Sequence, residues 1–128
     1  MESDNEKGSR KYDLEKRLID FSIFIIDIVE SLPNTRAGNH IGNQLVRCGT
    51  SPAANYGEAQ SAESRSDFIH KMRVSLKELR ETRIWLIIIH RKNMIKQMTM
   101  VERVLKENCE LIAIFAASVK TARRKTEH

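Results

Sequence analysis

Aromatic side chains are scarce, at 5% of the 128 residues, so any core must be aliphatic. Proline occurs twice and glycine five times, too few for a collagen-like or loop-rich protein. The longest apolar runs, six residues at Ile84–Ile89 and seven at Leu111–Ala117, are far short of the roughly 18–20 that span a bilayer. No membrane association is therefore expected. The opening residues, Met1 to Gly8, are polar and acidic, unlike a secretory signal. The two cysteines, Cys48 and Cys109, have no spaced partners. They read as reduced thiols of a cytoplasmic protein, packed as small hydrophobes.

Signatures of chemistry are missing too. There is no glycine-rich phosphate loop and no nucleophile elbow. His40, His70, His90 and His128 are scattered, without an i, i+4 pair or a Glu-x-x-His motif to hold a metal. The expectation is a non-enzymatic protein with no cofactor, no metal and no small-molecule substrate.

What the sequence does contain is helical periodicity. From Asp13, Leu14, Leu18, Phe21, Ile25, Ile28 and Leu32 alternate spacings of 4 and 3, a seam suited to an antiparallel bundle. Leu32-Pro33 ends this helix, because the residue before proline is pushed out of helical geometry. A second helix is predicted from Thr35–Gly38 to about Ala62. Ser64 to Asp67 resembles a capping box opening a third helix over about 66–90, with Phe68, Met72, Ser75, Leu79, Thr82 and Leu86 inward. Arg83 falls in that stripe and needs a partner, for which Asp20 and Asp27 are candidates. Thr99 and Glu102 form a second capping-box pattern. The fourth helix follows with Val101, Leu105, Ile112, Ala116 and Val119, Leu111 and Phe115 at its edges, and a basic end over 120–125. The predicted architecture is an all-α, antiparallel up-down-up-down four-helix bundle over residues 11–123. Residues 1–10 and 124–128 are expected to be disordered tails.

The stretch from Gln44 to Ala59 is the most unusual. As a helix it turns Ile41, Leu45, Cys48, Pro52, Tyr56 and Ala59 inward, with Gln44, Arg47, Ser51, Asn55 and Glu58 as a polar stripe beside them. Proline in a helix interior costs about 3 kcal/mol, so close packing around Gly49 and Ala53 must offset it. A kink near Gly49–Pro52 is expected; a loop through Cys48–Pro52 is the other possibility. The polar stripe fits a ligand or nucleic-acid contact. It fits better a network joining the second helix to Glu78, Glu81 and Thr82 of the third, within one subunit or across two.

Charge is unevenly distributed. Residues 1–63 carry 7 Lys/Arg and 10 Asp/Glu, residues 64–128 carry 15 and 7, so the net +5 resides in the second half. Arg73, Lys77 and Arg80, with Arg91, Lys92 and Lys96, make a candidate nucleic-acid-binding face. Few aromatics accompany them, which argues against stacking on single-stranded bases. Ile84 to Ile89 wraps a full helical turn in apolar side chains, and Val74, Trp85 and Ile88 lie on the side away from the core. A second copy covering them is expected.

Several motifs occur together and in order: Leu32-Pro-Asn-Thr, Gln44-Leu-Val-Arg-Cys-Gly-Thr-Ser51, Ala54-Asn-Tyr-x-Glu-Ala59, Ser66-Asp-Phe-Ile-x-Lys71 and Lys77-Glu-x-x-Glu-Thr82-x-x-Trp-Leu86. Over about residues 18–119 the chain resembles the bacterial four-helix bundle proteins encoded by intervening sequences of 23S rRNA genes, once labelled as a ribosomal protein. The resemblance implies a bacterial protein assembled as a homopentamer with a central channel. It implies no known reaction; nucleic-acid binding is suspected for the family. Carried onto this chain, the motif positions are Arg47, Ser51, Asn55, Glu58, Glu78 and Glu81, with structural or interface roles. Pro52 departs from the aliphatic residue expected there. The resulting expectation is an oligomer that contacts RNA or DNA through its basic face. The alternative is a structural adaptor that docks a protein partner and has no nucleic-acid role.

Overall fold

The periodicities become four long helices joined by short connections. The computed structural model describes the backbone of residues 4–127 and the side chains of residues 13–125, with α1 at Asp4–Ser31, α2 at Arg36–Gln60, α3 at Arg65–Arg91 and α4 at Met98–Glu127. Cross-helix pairs give the directions. Gly42 of α2 faces Val29 and Leu32 of α1, whereas Gly49, two turns on, faces Ile25. Arg47 meets Glu78 and Glu81 while Glu58 meets Lys71. Asn108 meets Leu79, and His90 meets Glu102. Each successive pair thus runs antiparallel. Arg17 on Glu107 closes the ring between α1 and α4, the most sparsely packed seam. The result is an up-down-up-down four-helix bundle.

The connections follow from their residues. Thr35 is extended (φ −127°) and its Oγ1 accepts from the Gly38 N–H at 3.0 Å, capping α2. A Cβ on Gly38 would fall 2.0 Å from the Pro33 carbonyl oxygen, so only glycine fits. Ser64 caps α3 by accepting from the Asp67 N–H at 3.0 Å. Asn93 takes the left-handed conformation (φ 52°) that lets α3 end, and the Met94 N–H returns to the Ile89 carbonyl at 3.1 Å.

α2 runs unbroken through Pro52, which excludes a loop at Cys48–Pro52. Proline leaves the Cys48 carbonyl without its helical donor. Opposing that cost, all six inward residues from Ile41 to Ala59 are buried, and α1 comes close at Gly49, where a Cβ would lie 2.7 Å from Ile25 Cγ2.

Several expectations are corrected. α1 begins at Asp4, not Asp13. α4 extends to Glu127, with Arg124 and Lys125 in its last turn. Of the two expected tails, residues 1–3 and 128 lie outside the described residues. α4 starts at Met98, so Thr99 sits inside its first turn and does not cap it. Arg83 is exposed and has no ion pair among the described residues. Asp20 and Asp27 cannot reach it, because α3 packs on α2 and α4 and lies diagonally across from α1.

α4 also turns a different face inward. Val101, Val104, Asn108, Leu111, Phe115, Val119 and Ala122 are buried, while Leu105, Ile112 and Ala116 lie on the flanks. Asn108 is fully buried; its Nδ2 donates to the Leu79 carbonyl at 3.1 Å and its Oδ1 has no partner. That polar side chain in the inward stripe is what displaced the sequence reading by one position.

Candidate nucleic-acid interface

Helix α3 separates two environments of different electrostatic character. On its α2 side the predicted polar residues meet within one chain. Arg47 extends between the helices to Glu78 Oε2 at 3.1 Å and to Glu81, and it also donates to Gln44 Oε1 at 3.2 Å. Glu81 in turn accepts from the Trp85 indole N–H at 3.1 Å. Further along the seam, Lys71 meets Glu58 at 3.0 Å, an interaction that raises the lysine pKa. Asn55 donates to Ser51 Oγ at 2.8 Å, within α2. Cys48 lies beneath, fully buried, and that burial pushes its thiol up to about 11. Cations and anions match here, which leaves little for a ligand to neutralise.

The α4 side of α3 is different. Arg73, Lys77 and Arg80 recur at spacings of 4 and 3, so they share one flank over about 10 Å of helix. They line an open groove with His70 and, from the antiparallel neighbour α4, Arg123. The adjoining cleft shares Arg80 and Arg123 and adds Lys120 and Arg124. Six cations therefore border one continuous depression, floored by Val74, Leu76, Ala116 and Val119, with no carboxylate among the described residues of its lining. None of the six has an ion-pair partner among the described residues. Lys120, Arg123 and Arg124 were missed as site residues because the sequence reading gave the end of α4 only a helix-dipole role. The signal was their i, i+3, i+4 spacing at the end of a helix whose partner carries cations one turn apart.

Arg91, Lys92 and Lys96 do not join this groove. They are exposed at the other end of α3, about 21 Å along the helix from Lys77. The predicted basic face is thus two separate clusters.

The candidate contact residues are also divided. Ile88 is exposed, and Ile84, one turn earlier, is more so at 51%. Val74 and Trp85 are half-buried; Val74 lines the groove, and Trp85 is held by Glu81 and an edge contact with His40 at 5.9 Å. α1 carries a second exposed stripe, Ile19, Ile23 and Ile26, at spacings of 4 and 3. Phe24 is exposed beside α4. Among the described residues, no three His, Cys, Asp or Glu side chains are placed to hold a metal, and no helix is long and apolar enough to cross a membrane.

Comparison with known proteins agrees with this architecture. The model of the family described as 23S rRNA-intervening sequence protein matches residues 10–117. Among solved structures, the chain is similar to a protein of unknown function from the S23 ribosomal protein family of Bacteroides thetaiotaomicron VPI-5482. The two are 30% identical with a TM-score of 0.75, over 83% of this chain and 97% of that one. No curated protein matches the chain.

Proposed function

Since the chain belongs to the 23S rRNA-intervening sequence protein family, we propose that it is a non-enzymatic, cytoplasmic, homo-oligomeric protein that binds nucleic acid, RNA foremost. One observation carries the reading: among the described residues, the six-cation groove between α3 and α4 has no carboxylate in its lining. Like charges held together repel, and a polyanion that displaces its own counterions turns this repulsion into affinity. Arginine supplies four of the six, and its planar guanidinium matches two phosphate oxygens at once. The groove accepts the backbone without reading bases, so binding has little sequence preference.

Self-association is part of the same reading. Ile84 and Ile88 on α3, and Ile19, Ile23 and Ile26 on α1, leave more apolar helix in water than a lone bundle needs. The cheapest cover is another copy, and the family resemblance favours five. A ring would present the groove repeatedly and strengthen binding by avidity.

A mobility-shift assay on structured RNA and duplex DNA tests the binding. Retention is expected at low salt and is expected to be lost in the Arg73→Ala/Lys77→Ala/Arg80→Ala protein. No retention at low salt removes the nucleic-acid role and leaves the adaptor reading, in which the α1 stripe docks a protein. Light scattering tests the assembly, with an expected mass about five times the 14.8 kDa of one chain. A mass near 14.8 kDa contradicts it. Ile84→Glu/Ile88→Glu should disperse the assembly and leave the helical content intact, since both side chains are exposed.

A further inference from the structure

The groove's lining carries information about which form of nucleic acid it takes. Proteins that hold unpaired strands place aromatic rings where successive bases can stack, each worth about 1–3 kcal/mol. Among the described residues, the only ring in the lining is the imidazole of His70. The other rings are committed elsewhere among the described residues. Tyr56 packs on Phe115 inside the bundle, Trp85 is held by Glu81 and His40, Phe68 packs against the core, and Phe21 is buried. Phe24 is exposed, but on α1, beside the opposite flank of α4. The floor of Val74, Leu76, Ala116 and Val119 offers no hydrogen-bond donor or acceptor to a base edge. Apart from His70 and the Ser66 hydroxyl, an unpaired strand would find only charges and apolar side chains here.

The charges themselves are arranged for something rigid. Arg73, Lys77 and Arg80 form one row on α3; Lys120, Arg123 and Arg124 form another on α4. Packed helices place their axes about 8–10 Å apart, and each row extends over one to two turns of its own helix. A flexible strand must lose conformational freedom to meet two fixed rows. A double helix has already lost it, and it presents two phosphate strands at constant spacing, with about one charge per 1.7 Å of axis. Each phosphate contact on a duplex also releases more counterion than one on a single strand, roughly 0.9 against 0.7.

From these features we infer that the α3–α4 groove binds base-paired RNA, seating one row of cations on each strand's phosphates, and discriminates against unpaired RNA. The inference rests on the nucleic-acid reading of the same groove. Recognition is by the shape and charge of the A-form backbone, which paired RNA presents whatever its sequence.

Fluorescence anisotropy separates this from its alternatives. The probes are a labelled RNA duplex of about 20 base pairs and a labelled oligouridine of the same length, titrated with the assembled protein at roughly 50 mM salt. The duplex should bind at least about tenfold more tightly, with a difference that survives a change of duplex sequence. Lys120→Ala/Arg123→Ala/Arg124→Ala should lower the slope of log affinity against log salt for the duplex by about three contacts' worth, while circular dichroism stays unchanged. Equal or tighter binding of oligouridine overturns the duplex inference and leaves the nucleic-acid reading standing. An unchanged duplex slope in the α4 variant overturns the two-row arrangement. Binding of neither probe overturns the nucleic-acid reading and the inference with it.

Discussion

The two sides of α3 both carry cations and use them differently. Toward α2, Arg47 and Lys71 are each held by carboxylates across the seam, and Cys48, Ser75 and Thr82 are buried beneath them. Toward α4, six cations share one depression without a carboxylate among the described residues. Positive charge that is already matched stabilises packing modestly and has little left to offer a partner. Positive charge that is left unmatched costs a little self-repulsion and remains available to a polyanion. The contrast therefore separates the helix face that maintains the fold from the face proposed to bind.

The largest expected difference between the two sides is in alkaline stability. Burial raises the Cys48 thiol from an ordinary 9 to about 11, so the folded protein favours the neutral form. A raised folded pKa gives stability that is complete below pH 9 and lost as pH climbs through 11, roughly 2–3 kcal/mol in all. Burial raises the Tyr56 phenol as well, adding a loss of the same sign at higher pH. Urea midpoints measured from pH 8 to 11 should fall, and Cys48→Ala should flatten the fall; a flat wild-type profile would contradict the buried, matched character of the α2 side. Next in size is Arg47→Ala, which strands Glu78 and Glu81. The arginine is half exposed, so the loss is at most about 1 kcal/mol in chemical denaturation, with RNA affinity unchanged. Arg123→Glu reverses the logic by placing a carboxylate opposite Arg80. It should raise the unfolding free energy slightly, by about 0.5 kcal/mol or less, and weaken RNA binding sharply. Smallest in stability is Arg80→Ala, which leaves nothing stranded: a change within about 0.5 kcal/mol, but roughly five- to tenfold weaker RNA binding at low salt.

Much of the architecture was legible in the sequence where side-chain pattern and local capping agree. Thr35 and Ser64 do at the helix starts what their spacing to Gly38 and Asp67 indicates. The inward stripe of α2 holds through Pro52 because Gly49 admits α1 closely, and that approach depends on a neighbour no local pattern contains. The face of α4 was misread because Asn108 is buried among apolar residues, and a hydrophobic count passes over it. Arg83 looked buried because the seam of α3 continues past it; at the flank its long stem reaches water. At the candidate site, the α3 row was visible as a charged helix face. The α4 row was not, since only antiparallel packing places Lys120, Arg123 and Arg124 opposite Arg80. The same packing separates Arg91, Lys92 and Lys96 from the groove they were grouped with.

The most direct test of the account is the salt dependence of RNA affinity for the wild-type protein and for Arg73→Ala/Lys77→Ala/Arg80→Ala. The account predicts a steep wild-type slope that becomes shallower by about three contacts in the variant, with the fold unchanged. A variant that binds with wild-type affinity and wild-type slope would contradict it.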